Sequence, residues 1–448
     1  MGNSHISLAM EARPFMEANI QPAAESLMAK GFRRIVLALL AAAITFSGRT
    51  FLLGVIGGSY IRPIFVRWED IVLVLLGIFL FAYFLISQRT RIKVPPILNI
   101  FLIWIAFELA SSLLNAMLGS LLVLRVPFYT LKEIEYAFIF FYVWRTLKDE
   151  RDVHFIMKIW LFLIWIHLGY IFYQFLYSTE QGIRLIGENG NFNIGGQFLI
   201  LSTYTFAYFL FFTIQKPIAW IKKISLGILS LVPFIGVFTA ANKASAVAGI
   251  LTILTLLFFY GLKRSTFKAV KQLFIYASLI GVMGIILTLV ARTLPYDFIT
   301  HRTLNFPSYE NSFFYRVGIW KYTTLIALHN PVHVLIGRGG ADPIAEASHN
   351  QYVRNFVAGG IIGSLLFMVL VGSLLKISFY HLLISKHPLL TAFSVALFAS
   401  TIGMLVISFS GEAFFIVRPA EHYWFFAGIT AAVLKITLHN HKWKKINQ

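Results

Sequence analysis

The residues best suited to chemistry lie at the start of a long apolar stretch near position 350. His349 and Asn350 stand directly before it, and Arg354 follows about one helical turn further in. The N-terminus of a helix favours anions, because its first N–H groups are unpaired and its dipole is positive there. We therefore predict that His349 is a general base beside an anion-binding site, with Asn350 and Arg354 as substrate ligands. The alternative is a histidine with a purely structural role at a membrane interface.

A second candidate group, Arg316 and Trp320, lies upstream in the chain. These residues are four positions apart, so they share one face if the segment is helical. The stretch 311–340 is too polar to cross a membrane, and we predict an amphipathic helix at the membrane surface. Arg338 lies in the glycine-rich turn that ends this stretch, among Gly337, Gly339 and Gly340.

Two shorter segments add candidate cations. Arg184 lies in the stretch 182–198, which contains five glycines and three asparagines. Glycines let a backbone approach a ligand closely, and asparagine amides suit sugar hydroxyls because they both donate and accept. A flexible hairpin is the alternative. Lys243 occupies a short turn between two apolar segments, where anion binding and snorkelling to the interface are equally good interpretations.

The elements that must position these residues are membrane-spanning helices. Hydrophobic residues make up 58% of the chain and charged residues 13%, against roughly 45–50% and about 25% in soluble domains. The apolar residues form blocks of roughly 17–25, the length that crosses a bilayer as a helix. We predict an all-α, polytopic transmembrane bundle of about twelve spans, at approximately 35–57, 70–87, 97–118, 128–145, 153–177, 196–214, 224–240, 244–262, 273–291, 351–375, 389–408 and 421–438.

Short basic connections follow every second predicted span. Such loops stay in the cytoplasm, so we expect both termini to be cytoplasmic, with a cytoplasmic N-terminal tail at 1–34 that has no signal-peptide cleavage site. A single membrane domain at 35–438 and a C-terminal tail at 439–448 complete the chain. The longest outer connection, 292–350, exceeds the length of an ordinary linker and is expected to carry function.

The predicted outer face holds more cations than topology requires. Cations beside a membrane mark an anionic ligand or a substrate path, although salt bridges to nearby carboxylates are the alternative. The formal net charge of +19 does not require nucleic acid, because basic loops and anionic lipid account for it. The chain has no cysteine, no metal-ligand spacing and no nucleotide motif, so no metal and no cofactor are expected. The outer cations are Arg184, Lys243, Arg292, Arg302, Arg316, Arg338, Arg354 and Arg418.

Between residues 180 and 370 these motifs follow a definite order. They are a Gly/Asn loop with Arg184, a short turn with Lys243, Arg316-x-x-x-Trp320, Asn330-Pro331, Gly337-Arg-Gly-Gly340, His349-Asn350 and Gly359-Gly360-Ile-Ile-Gly363. This order resembles the O-antigen ligase and O-antigen polymerase superfamily of bacterial inner-membrane glycosyltransferases. The superfamily usually has Ser-Arg-Gly or Ser-Arg-Ala where this chain has Asn242-Lys243-Ala244. Lysine keeps the charge there but lacks the planar fork that fits phosphate.

The resemblance implies a metal-independent, inverting transfer of a glycan from a polyprenyl diphosphate to a sugar hydroxyl outside the inner membrane. Arg316 and His349 would be catalytic. The lipid-linked glycan, membrane lipids, a chain-length regulator and a flippase are the implied partners. Polymerisation of a surface polysaccharide is favoured over ligation to a lipid core, and transport of an anion or small solute is a more distant alternative. The implied substrate-binding residues are Lys243, Arg184, Asn350, Arg354, Arg338, Trp320 and Arg418.

Overall fold

A computed structural model describes residues 27–46, 49–56, 62–87, 94–119, 125–177, 191–212, 217, 219–239, 243–263, 307–415 and 417–446. These residues form helices and one short hairpin. The elements are α1 Leu27–Phe46, β1 Arg49–Ile56, β2 Arg62–Arg67, α2 Trp68–Ser87, α3 Pro96–Met117, α4 Arg125–Thr146, α5 Glu150–Tyr177, α6 Asn191–Phe211, α7 Trp220–Leu231, α8 Phe234–Thr239, α9 Lys243–Lys263, α10 Pro307–Leu328, α11 Pro331–Ile336, α12 Pro343–Ala347, α13 Gln351–Ile384, α14 Pro388–Ile407 and α15 Val417–Ile446.

Seven helical stretches within the described residues are long and apolar enough to cross a membrane. This supports the predicted class of helical membrane protein. The count of twelve spans stays a prediction, and the predicted span 273–291 lies outside the described residues. The seven stretches are Pro96–Met117, Glu150–Tyr170, Ile194–Phe211, Trp220–Val237, Ala244–Lys263, Gln351–Ile384 and Pro388–Ile407.

The predicted first span, 35–57, is wrong in its bounds. Helix α1 starts at Leu27, inside the segment predicted as a tail, and ends at Phe46. Arg33 Nη1 and Arg34 Nε lie 2.6 Å and 2.8 Å from the carboxylate oxygens of Asp152, which ties the first turns of α1 to α5. The residues after α1 are rich in β-branched and aromatic side chains, and they pair as the antiparallel hairpin β1–β2.

Helix α15 lies at the centre of the bundle, where it packs against α4, α6 and α14. Its buried Trp424 ring lies 4.2 Å, centroid to centroid, from Phe101 of α3. On the other side of α14, α9 and α13 complete the packing. Close-packed aromatic rings therefore fix the relative positions of α3, α4 and α15, the helices that carry the buried charges described below.

Helix α13 is broken at Gly360, where φ is +61° and ψ is −156°. The carbonyls of Val357 and Ala358, just before the break, accept hydrogen bonds from outside the helix. The N–H groups of Arg338 and Gly339 donate to them at 2.8 Å each. A Cβ at Gly360 would lie 2.5 Å from the Leu335 carbonyl carbon, so glycine is required both by space and by the positive φ. The glycine-rich turn after α11 is thus inserted beside the broken helix.

Helix α10 forms in the predicted outer loop, but its polarity differs from the expected amphipathic pattern. The stripe that faces the protein consists of Arg316, Trp320, Thr323 and Ala327, all buried or half-buried. The opposite face exposes large apolar and aromatic side chains: Phe314, Tyr315, Tyr322, Leu325 and Leu328. The helix therefore turns its arginine and its indole N–H inward and its apolar surface outward.

Candidate functional site

The structure brings the two main sequence candidates to one turn, residues 408–412, which follows α14. Arg316 Nη1 donates to the carbonyl oxygen of Ser410 at 3.1 Å. The amide nitrogen of Asn350 donates to the carbonyl oxygen of Phe409 at 3.1 Å. The helix that carries Arg316 and the loop that carries His349 are therefore held by adjacent peptide groups, as the candidate site requires.

Asn350 also caps α13. Its Oδ1 accepts hydrogen bonds from the backbone N–H groups of Tyr352 at 2.9 Å and Val353 at 3.1 Å. Together with the bond to Phe409, these contacts occupy the buried side chain in three directions. The predicted helix start at 351 is confirmed. Asn350 is a structural anchor of the loop, and this role explains its type without a substrate contact.

His349 adopts a left-handed backbone conformation with φ of +45°, which is uncommon for a residue other than glycine. Its side chain is exposed. On its N-terminal side, the carbonyl of Ser348 accepts a hydrogen bond from Trp320 Nε1 at 2.8 Å, and on its C-terminal side Asn350 is fixed as described. Strained backbone persists only where neighbours enforce it and often marks a functional position. The structure thus holds an exposed histidine in an imposed orientation.

Arg354 lies about one turn below, but its surroundings differ from those expected for a phosphate ligand. The side chain is buried, its Nε is 3.3 Å from Glu412 Oε2, and its guanidinium carbon is 4.2 Å from the centroid of the Phe415 ring. Glu133 and Glu108 also act on it electrostatically. Three carboxyl groups therefore act on one guanidinium, although within the described residues its Nε and Nη1 have no hydrogen-bond partner. Substrate binding by Arg354 stays a prediction.

Sequence reasoning missed Glu108 and Glu133. Both are buried, in α3 and α4, and Glu108 Oε1 would be 2.7 Å from a Cβ at Gly359, beside the break in α13. An ionisable residue, Glu108, therefore lies within the candidate span Pro96–Met117 as well as in the predicted outer connections. The available signal was a glutamate within the apolar stretch 97–118, because an ionisable residue inside a span is a functional candidate by default.

The structure describes two of the remaining predicted cations, Arg338 and Arg418, in other surroundings. Arg338 Nε pairs with Asp342 Oδ2 at 2.8 Å, near the buried His333. Burial lowers the pKa of His333, and the positive charge of Arg338 lowers it further against the opposing effect of Asp342. Arg418 is buried and donates to the carbonyl of Thr45 at 3.3 Å. Arg184 and the side chain of Lys243 lie outside the described residues.

Within the described ranges, no group of three or more His, Asp or Glu side chains could hold a metal ion. Metal independence stays a prediction. When the chain is compared with known protein families and with characterised proteins, nothing matches. The resemblance to the O-antigen ligase and polymerase superfamily rests on the motifs alone.

Proposed function

We propose that the protein is a glycosyltransferase that moves a glycan from a polyprenyl diphosphate to a sugar hydroxyl at the outer side of the membrane. The observation that carries this proposal is the turn 408–412, which holds both Arg316 and the His349 loop. A cation for the leaving group and an exposed base are the two groups that such a transfer needs.

In the proposed reaction, the acceptor oxygen forms a bond to the anomeric carbon while the bond from that carbon to the phosphate oxygen breaks. The hydroxyl proton passes to the His349 imidazole, and the diphosphate leaves with the electron pair. Arg316 stabilises the charge that develops on it, with Lys243 and Arg184 as further candidates. Carboxyl groups surround Arg354, so we do not place it on the diphosphate in this proposal. Arg354 lies between the His349 loop and the buried carboxyl groups of Glu108 and Glu133.

Purified protein with a polyprenyl-diphosphate glycan and its acceptor tests the proposal. We expect Arg316→Ala to lower turnover by about 10²–10³-fold, the usual cost of one transition-state donor. Arg316→Lys should recover little, because ammonium cannot make a planar two-point contact. Lys321→Ala is the matched control, since Lys321 is an exposed cation on the same helix. Equal turnover in wild type and Arg316→Ala would refute the role of Arg316.

Within this class we favour polymerisation of surface polysaccharide repeat units. Disruption of the gene separates the options. If the disrupted strain makes surface glycans of a single repeat unit, the protein is a polymerase. If full-length glycan stays on its polyprenyl carrier, the protein is a ligase. A chain-length regulator and a flippase are proposed partners of either enzyme, and membrane lipids would surround it.

Transport of an anion or small solute is a second candidate, and one observation favours it. Transporters build their sites from broken helices and buried ionisable residues. The break at Gly360 follows Gly359, which lies against the buried carboxyl group of Glu108. Arg354 acts electrostatically on that carboxyl group. If gene disruption leaves surface glycans unchanged, and vesicles that contain the protein accumulate a labelled anion, the glycosyltransferase proposal is wrong.

A further inference from the structure

A second cluster of charged side chains lies where β2, α2, α4 and α15 meet. It is separate from the contacts of the His349 loop described above. Lys132 Nζ is 2.5 Å from Asp70 Oδ1 and 2.7 Å from Glu135 Oε2. At its edge, Arg67 Nη1 is 3.6 Å from Glu69 Oε1. We call the set the α2–α4–α15 cluster: Arg67, Glu69, Asp70, Lys132, Glu135 and Glu421.

The charges of this cluster do not balance. It has four carboxyl groups and two cations, so full ionisation would leave two excess negative charges. Glu69 and Glu421 are each 0% exposed, and water cannot stabilise their charge. An uncompensated buried carboxylate is costly, and such a group usually takes up a proton instead. The cations that act on Glu421 are Lys132 and Arg67, and both already face other carboxyl groups of the cluster.

Glu421 is the member whose surroundings require a proton most clearly. Two other carboxyl groups of the cluster, those of Glu69 and Glu135, act electrostatically on its buried side chain. In the described part of the chain, neither oxygen of Glu421 has a donor, and Oε1 of Glu135 has none either. Ionised carboxylates only accept hydrogen bonds. Two of them face to face repel each other, whereas a proton between them turns the repulsion into a hydrogen bond.

We propose that Glu135 and Glu421 form a proton-binding carboxyl pair inside the bundle. The other charged groups that face the pair are Glu69, Asp70, Arg67 and Lys132. Two further titratable or charged residues, Arg418 and His422, lie on the same helix as Glu421. The proton supplies the donor that Glu421 and Oε1 of Glu135 lack among the described residues.

The pair is also linked to the candidate site through Tyr136. This residue follows Glu135, interacts electrostatically with both members of the pair, and donates its hydroxyl proton to the carbonyl of Phe415 at 2.9 Å. The Phe415 ring lies against Arg354. Gain or loss of the shared proton therefore changes the field on a segment that ends at the Arg354–Glu412 ion pair. Neither Glu135 nor Glu421 takes part in a step of the proposed transfer, so the inference does not depend on the glycosyltransferase proposal.

Infrared spectroscopy of the purified full chain tests the pair directly, because a protonated carboxyl group has a C=O stretching band that ionised carboxylates lack. We expect wild type to show this C=O band at neutral pH and the band to shift in D₂O. Glu421→Gln and Glu135→Gln should each lose the same component of that band. Asp149→Asn is the control, because Asp149 is a partly exposed acid paired with Lys30 at 2.7 Å. It should leave the band unchanged.

Glutamine has the shape of a protonated glutamate, so Glu421→Gln should fold, as judged by circular dichroism and gel filtration. An unchanged band in folded Glu421→Gln would show that Glu421 is ionised and would overturn the proposal. Loss of the fold in Glu421→Gln, with a normal fold in Glu421→Asp, would overturn it as well, because the site would then need the charge.

Discussion

Replacement of Asn350 by alanine tests whether the His349 loop is held as the structure indicates. The substitution removes a cap that accepts two backbone N–H groups, which costs roughly 0.5–2 kcal/mol. It also removes the hydrogen bond to the Phe409 carbonyl, worth about 1 kcal/mol. The expected loss of stability is therefore about 1.5–3 kcal/mol. Turnover should fall in addition, because the backbone of His349 is no longer fixed on its C-terminal side.

Unfolding of the purified protein in mixed micelles measures the loss of stability. Asn330→Ala is the matched control, since Asn330 caps the six-residue helix α11 through one hydrogen bond of 3.0 Å to Val332 N. It should cost no more than about 1 kcal/mol. Asn350→Asp should retain the cap but lose the amide donor to Phe409. If Asn350→Ala costs no more than Asn330→Ala, the reasoning about the loop is refuted.

Three further predictions concern the same framework. Trp320→Phe should keep the packing of α10 but lose one hydrogen bond, worth about 1 kcal/mol in unfolding measurements, and no loss would mean that the indole N–H is dispensable. Gly360→Ala should destabilise the protein by at least about 1–3 kcal/mol, because φ is positive and the loop backbone occupies the space, whereas Gly372→Ala, in open space, should be neutral or slightly stabilising in the same assay. Reporter fusions at Lys268 and Asp342 should report opposite sides of the membrane, and two cytoplasmic reports would refute the predicted orientation.

The starts of α13 and α14 were predictable because the signals there are local, whereas α15 begins at Val417 and continues to Ile446, beyond both ends of the predicted span 421–438. The spans predicted at 351–375 and 389–408 begin within a residue of α13 and α14. Asn350 before α13 and Pro388 at the first position of α14 are strong start signals. The shared face of Arg316 and Trp320 was also predictable, because residues at i and i+4 lie on the same side of a helix.

Long-range features were not predictable from local patterns. Strands Arg49–Ile56 and Arg62–Arg67 form the hairpin β1–β2 only through their pairing with each other, which no local pattern shows. The break at Gly360 depends on the carbonyl of Leu335 and the N–H groups of the following turn, which approach it only in the folded chain. The surroundings of Arg354 were not predictable for the same reason, since two of the carboxyl groups that act on it come from α3 and α4.

Turnover by His349→Gln, measured with purified lipid donor and acceptor, is the most direct test of the proposed function. Glutamine keeps hydrogen-bonding capacity but cannot accept the proton. We expect donor binding to persist while turnover falls by about 10²–10⁴-fold, the usual loss for a general base. His329→Ala, at an exposed position after α10, should be fully active. A fully active His349→Gln protein would contradict the assignment of His349 as the base.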